Sequence, residues 1–252
     1  MKDALTMANI NLYAVLQNLE DLCALDHEAK SLIKGKTLAI QFIVKNGPTA
    51  LLSFHDGNCS FQKGIGKNDI KLFFSSPAHL NKMFEGKANP IPLKGFTKIG
   101  FLKNEFTKLT DRLTYFLKPT DELLKDAAYF KINTILTAHT AFFALAEIGN
   151  SDRIGKMNAE RMPDGVISIS VLKGGFSLHL NAQKGKLTAA KGAVSTPRAI
   201  MVFADMETTN GMLNNKLDAY TCIANGTIET KGFVPMLDNL NKLLSQVPSY
   251  LK

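Results

Sequence analysis

Few residues in this chain have the type and spacing that chemistry needs. Gly64-Ile65-Gly66-Lys67 carries the glycines and the lysine of a phosphate loop. It lacks the G-x-x-x-x-G-K-[ST] spacing, and it leads into a strand-like run, so no helix N-terminus would face a phosphate. A turn accounts for it. The five histidines (27, 55, 79, 139 and 179) share no metal-ligand spacing. His139 stands within an apolar run and reads as a buried histidine. Cys23, Cys59 and Cys222 are far apart with no C-x-x-C pair, which argues against a zinc site and a disulfide framework. Cys59 and Cys222 read as small buried hydrophobes. No G-x-S-x-G elbow is present. The expectation is a protein with no catalytic residues, no metal and no cofactor.

What remains is apolar chemistry. Phe occurs 16 times and Trp not at all, and six of the 9 Met follow residue 150. Methionine is flexible and polarisable, and can line a cavity that accepts varied chains. Burying a lipid tail yields about 0.8 kcal/mol per methylene, so on the order of ten buried carbons give micromolar binding. The same residue types also fill ordinary cores, and that reading stands beside the cavity.

The elements that would hold such an interior occur twice. The chain has 252 residues, and at roughly 150 residues per domain that is one large domain or two small ones. Hydrophobic residues make up 45% and charged residues 21%, ample for a packed core and against wholesale disorder. Val44-Lys45-Asn46-Gly47, Asp56-Gly57 and Lys63-Gly64 recur as Leu172-Lys173-Gly174-Gly175, Lys184-Gly185 and Lys191-Gly192. Further on, Lys71-Leu72-Phe73 matches Met201-Val202-Phe203, Met83-Phe84 matches Met212-Leu213, and Gly100-Phe101 matches Gly232-Phe233.

Both copies read with one order of elements. Alternating runs 38–44 and 166–171 lead through Asn-Gly and Gly-Gly turns to runs 50–54 and 176–180. Asp56-Gly57 and Lys184-Gly185 turn into a third strand, and 70–74 and 200–204 form a fourth. A short helix follows, capped by Ser75-Ser76-Pro77 in one copy and by Asp205 in the other. A fifth strand, 95–99 or 226–230, leads to an amphipathic closing helix. Helix 10–25 precedes the first copy. A long apolar helix, 121–148 with Gly149 as C-cap, precedes the second, and Lys118-Pro119-Thr120 is the expected boundary. The domains are therefore expected at 1–118 and 119–252.

The meander, the Asp-Gly turn, Asp69-Ile70-Lys71-Leu72-Phe73, Phe84-Glu85-Gly86-Lys87-Ala88-Asn89-Pro90 and Gly95-Phe96-Thr97-Lys98-Ile99-Gly100 resemble the sterol-carrier-protein type 2 domain. The first copy carries the resemblance over 34–116. The second is diverged, with Lys184 where Asp56 stands and Asn214-Asn215-Lys216 for Glu85-Gly86-Lys87. The resemblance implies an α/β (α+β) fold: two domains, each a curved, roughly five-stranded sheet with helices on one face and an apolar tunnel between. It implies binding or transfer of a sterol, fatty acid, fatty acyl-CoA or phospholipid, without chemistry. It puts Phe73, Leu80, Met83, Phe84, Phe101 and Phe106 on the ligand in the first copy. In the second it puts Met201, Phe203, Met206, Met212, Leu213, Phe233 and Met236 there. The alternative is a scaffold or self-association protein whose tunnel is filled.

The net charge of +8 is uneven: residues 1–120 carry +6. Lys94, Lys98, Lys103 and Lys108 on the closing helix and the strand before it are the candidate contacts to an anionic membrane surface. An ordinary solvated lysine face is the other reading. Nucleic acid is not an expected partner, because Arg is scarce and no binding motif is present. The N-terminal residues lack the apolar run of a signal peptide, and a cytoplasmic location is expected.

Overall fold

The computed structural model describes residues 2–173, 175–214 and 216–251. Gly174 of the expected Gly-Gly turn and Asn215, the expected counterpart of Gly86, lie outside the described residues. The chain divides into two compact units, Met1–Leu136 and Thr137–Lys252.

The first unit opens with a continuous helical stretch. Helix α1 (Ala4–Ile10) passes through a wide π turn and a tight 3-10 turn into α2 (Leu19–Leu25), then α3 (His27–Leu32). Strands β1 (Thr37–Val44), β2 (Thr49–His55) and β3 (Asn58–Lys63) form an antiparallel meander. Strand β4 (Ile70–Phe74) returns parallel beside β1, and α4 (Pro77–Phe84) leads to β5 (Ile91–Lys94) at the edge. The sheet order is β3-β2-β1-β4-β5. The closing segment contains α5 (Ile99–Phe101) and α6 (Thr107–Leu117). Residues 127–136 of α7 (Ala127–Ser151) pack here too: Asn133 donates to the Phe116 carbonyl at 2.6 Å, and Tyr129 joins the core. That packing carries the first unit past the expected boundary at 118.

The second unit repeats the plan. After α8 (Arg153–Arg161) come β6 (Gly165–Val171), β7 (Ser177–Gln183), β8 (Lys186–Lys191) and β9 (Ala199–Phe203), the last parallel to β6. Helices α9 (Met206–Leu213) and α10 (Ala219–Ala224) precede edge strand β10 (Ile228–Gly232). Helices α11 (Val234–Leu244) and α12 (Val247–Leu251) close the unit. The order β10-β9-β6-β7-β8 is that of the first sheet. The α+β architecture with two five-stranded mixed sheets is as the sequence suggests.

Local signals explain most of this. Asp56 and Gly57 take φ of 42° and 84°, and Lys184 and Gly185 take 50° and 73°, the paired positive angles of a tight hairpin. Ser76 accepts the His79 amide and Asp205 accepts the Thr208 amide, so both expected caps are in place. Asp26 caps α3 and is also gripped by Arg112 of α6, through Nε at 2.8 Å and a second guanidinium nitrogen at 2.9 Å. Asp152 caps α8 in the same way and accepts from Tyr250 Oη at 2.8 Å.

Three expectations are corrected. The fifth strand of the first unit is 91–94, not 95–99. Gly95 turns with φ 90°, and residues 96–98 begin the closing helical segment. Gly149 is not a C-cap: α7 continues through it, and a Cβ there would stand 2.4 Å from Leu187. Gly232 is the counterpart of Gly95, not of Gly100. A Cβ on Gly95 would meet Asp69 O and Ile70 Cα, and one on Gly232 would meet Arg198 O and Ala199 Cα.

Candidate functional site

In each unit the candidate site is the apolar layer between sheet and helices. Its strand positions are set by register. Ile40 stands opposite Ile70, and Val44 opposite Phe74. In the second unit Ile167 stands opposite Ala199, and Val171 opposite Phe203. Phe203 is therefore the counterpart of Phe74, and Val202 that of Phe73. Side chains alternate between faces, so this one-residue difference matters. Ile70, Leu72 and Phe74 are buried on the helix side, and the half-buried Phe73 lies on the outer face. The expectation that Phe73 lines the interior is corrected on that ground.

The interior of the first unit is held by interlocked rings. Phe42 stacks on Phe74 with centroids 6.5 Å apart, and Phe106 lies 6.3 Å from Phe42. Phe54 meets Phe101 at 5.4 Å and Phe106 at 6.4 Å. Leu80 of α4 is buried with them, and Met83 and Phe84 of the same helix pack half-buried on this core. Such ring pairs add roughly 0.5–1.5 kcal/mol each beyond the area they bury. Phe42, Phe54 and Phe74 were missed as site residues. Their parity with Ile40, Leu52 and Leu72 in the alternating runs was the available signal.

The second unit has a different lining. Met201 and Phe203 on β9, Met206 at the start of α9 and Met236 on α11 are buried, and so is Met162 before β6. Met212 and Leu213 are half-buried at the end of α9. Phe233 is not brought inside. It is 37% exposed, with the Arg198 guanidinium 4.2 Å above its ring. As the neighbour of Gly232 it corresponds to the exposed Phe96, not to Phe101.

The polar candidates are also placed. Gly64 to Lys67 crosses the outer face of the first sheet. There the fully buried Gln41 donates to the Gly64 carbonyl at 3.0 Å and accepts the Gly66 amide at 3.0 Å. No helix starts in this segment. His139 is buried against the rings of Phe143 and Phe176. Cys23, Cys59 and Cys222 are buried thiols. Among the described residues no group of His, Cys, Asp and Glu is arranged to hold a metal ion. No helix among them is long and apolar enough to cross a membrane.

Lys94 ends β5, Lys98 stands in the turn that begins the closing segment, and Lys103 and Lys108 are exposed farther along that segment. Lys98 Nζ lies 2.6 Å from Asp69 Oδ1. That hydrogen bond, helped by the Ala39 amide, holds the Asp69 carboxyl below the usual range.

No protein-family model and no curated protein matches this chain. Several solved structures do resemble it. The sterol carrier protein domain 2 of Helicoverpa armigera is 18% identical at a TM-score of 0.37, over 45% of this chain and 89% of that one. Sterol carrier protein 2 from Yarrowia lipolytica, in its apo form, is 18% identical at 0.33, over 41% and 92%. The inverting sec-alkylsulfatase of a Pseudomonas species is 13% identical at 0.32, over 68% of this chain and 30% of that one.

Proposed function

We propose that this protein binds an elongated apolar molecule (a fatty acid, fatty acyl-CoA, sterol or phospholipid) without chemistry, and that the second unit is where it binds. The observation that carries this reading is the methionine lining. Met201, Met206 and Met236 are buried on β9, α9 and α11, and Met162 is buried in the turn between α8 and β6. Unbranched thioether chains re-pack around a guest at small energetic expense. A tail of about ten buried carbons then suffices for micromolar affinity.

The first unit favours the other reading for itself. Its five phenylalanine rings occupy the layer that a tunnel would need. It serves as a filled scaffold carrying the same fold.

The test is organic extraction of the purified protein with mass spectrometry, followed by titration with a fluorescent fatty acid. One apolar molecule per chain is expected, and the M201F/M206F variant should lose it while still folding. Failure to find or bind any lipid would overturn the reading. Two molecules per chain would overturn its assignment to the second unit alone.

A further inference from the structure

The outer face of the first sheet ends in an apolar edge ringed by lysine. Ile43, Phe73 and Ile91 stand opposite one another across β1, β4 and β5, forming one row on the face away from the helices. Ile91 is 44% exposed, Leu93 in the same strand 53%, and Phe96 just beyond it 63%. Exposed apolar residues are unremarkable singly, but three within six residues beside a half-buried Phe mark a surface that meets something.

Charge says what. Lys71 and Lys94 stand directly opposite each other across β4 and β5. Like charges so placed are unfavourable in isolation and become favourable against an anionic surface. Lys94 also donates to the Asn68 carbonyl, and Lys67 is exposed on the neighbouring loop. The acids nearby are engaged: Asp69 with Lys98, and Glu85 with Lys87. Residues 67–98 carry six lysines against two acids, a net +4, whereas the corresponding stretch 196–235 carries three bases against four acids, a net −1. The second unit also places Glu229 opposite Val202, where the first has Ile91 opposite Phe73.

The geometry points to a docking surface for an anionic phospholipid bilayer, with Phe96, Leu93 and Ile91 entering the headgroup layer and Lys67, Lys71 and Lys94 meeting the phosphates. A pairing strand is disfavoured as the occupant. Strand β5 is four residues long, carries Pro92, which has no amide to donate, and ends in Lys94, all features that protect an edge from strand addition. An apolar insert within a basic rim is instead the pattern of interfacial binding.

The chain contains no tryptophan, so Phe96→Trp creates a single reporter. The full-length F96W protein is mixed with phosphatidylcholine vesicles, with and without phosphatidylserine, at low salt. A blue shift that needs phosphatidylserine is expected, with quenching by brominated acyl chains. K71Q/K94Q should weaken the partition roughly thirtyfold, about fivefold for each charge. L93S should weaken it several-fold, with unchanged thermal unfolding. A Val234→Trp reporter, on a 70% exposed site of the second unit, should not respond. Three results would overturn the inference: no shift, an equal shift at residue 234, or a shift that follows protein concentration without vesicles, which would mean self-association. The reporter stands in the first unit and the proposed guest in the second, so this experiment and the fatty-acid titration fail independently.

Discussion

The two units solve one backbone problem with different side chains. Gly64 and Gly192 both end the third strand of their sheet at a φ of 98°. The Gly64 carbonyl is held by buried Gln41 at 3.0 Å, and the Gly192 carbonyl by His179 Nδ1, also at 3.0 Å, from the adjacent strand. The capping aspartate before the first strand is tied to a later helix of its unit, by Arg112 of α6 in one copy and by Tyr250 of α12 in the other. The interiors diverge most, Phe rings against Met chains. Backbone conformation and polar satisfaction are strict requirements, whereas the group that meets them is free to change.

Replacing a ring should separate the two interiors most. Phe42→Ala is expected to lose about 4 kcal/mol in denaturant unfolding, because its stacked and tilted partners cannot collapse into the space. Met236→Ala should lose about 2 kcal/mol, near the bottom of the range for such truncations. Equal losses would break the contrast between a locked and an adaptable interior.

Next come the ties to the capping aspartates. Arg112→Leu leaves the Asp26 carboxylate, 8% exposed, without its cation and should cost about 3 kcal/mol. Tyr250→Phe removes one hydrogen bond to a charged group and should cost about 1.5 kcal/mol. Burial alone would raise the Asp26 pKa, but the hydrogen bonds from Arg112 and the Ala29 amide together lower it. A depressed folded pKa adds stability above the unfolded value, near 4, and that stability is lost as pH falls through the folded value. The wild-type protein should therefore weaken on acidification below about pH 4. The R112L deficit should narrow over the same window, which pH-dependent unfolding would show.

Gly95→Ala and Gly232→Ala should behave alike. Each puts a Cβ within 2.9 Å of neighbouring backbone at a φ above 90° or equal to it, and each should cost about 2 kcal/mol or more. A large difference in melting temperature between them would undo their equivalence. The smallest contrast is Gln41→Leu, about 1–2 kcal/mol from a fully buried network, against His179→Leu, below about 1 kcal/mol from a half-buried site.

Much of this was legible in the chain. The turn pairs, the caps at Ser76 and Asp205, and strand 70–74 follow from local preferences that one sequence displays directly. The fifth strand was not. Ile-Pro-Leu-Lys is a poor strand by propensity and forms one only because β4 offers it an edge, while the strand-like Gly-Phe-Thr-Lys stretch is drawn into the closing segment at Gly95. Of the site candidates, Leu80, Phe101, Met201, Phe203, Met206 and Met236 are buried and Met83, Phe84, Phe106, Met212 and Leu213 half-buried, with Phe73 and Phe233 the exceptions that face outward.

Those two exceptions mark the division. The sequence by itself determined the repeat, its order of elements and the apolar stock of each half, because turn angles, caps and periodicity are local properties. Only the tertiary structure decided register. Loops that differ by one residue between copies shift the match from Phe73 to Phe74, and with a side-chain period of two, one residue reverses the face. Which phenylalanine meets the interior and which meets the outside is therefore a property of strand pairing, which local preference does not encode.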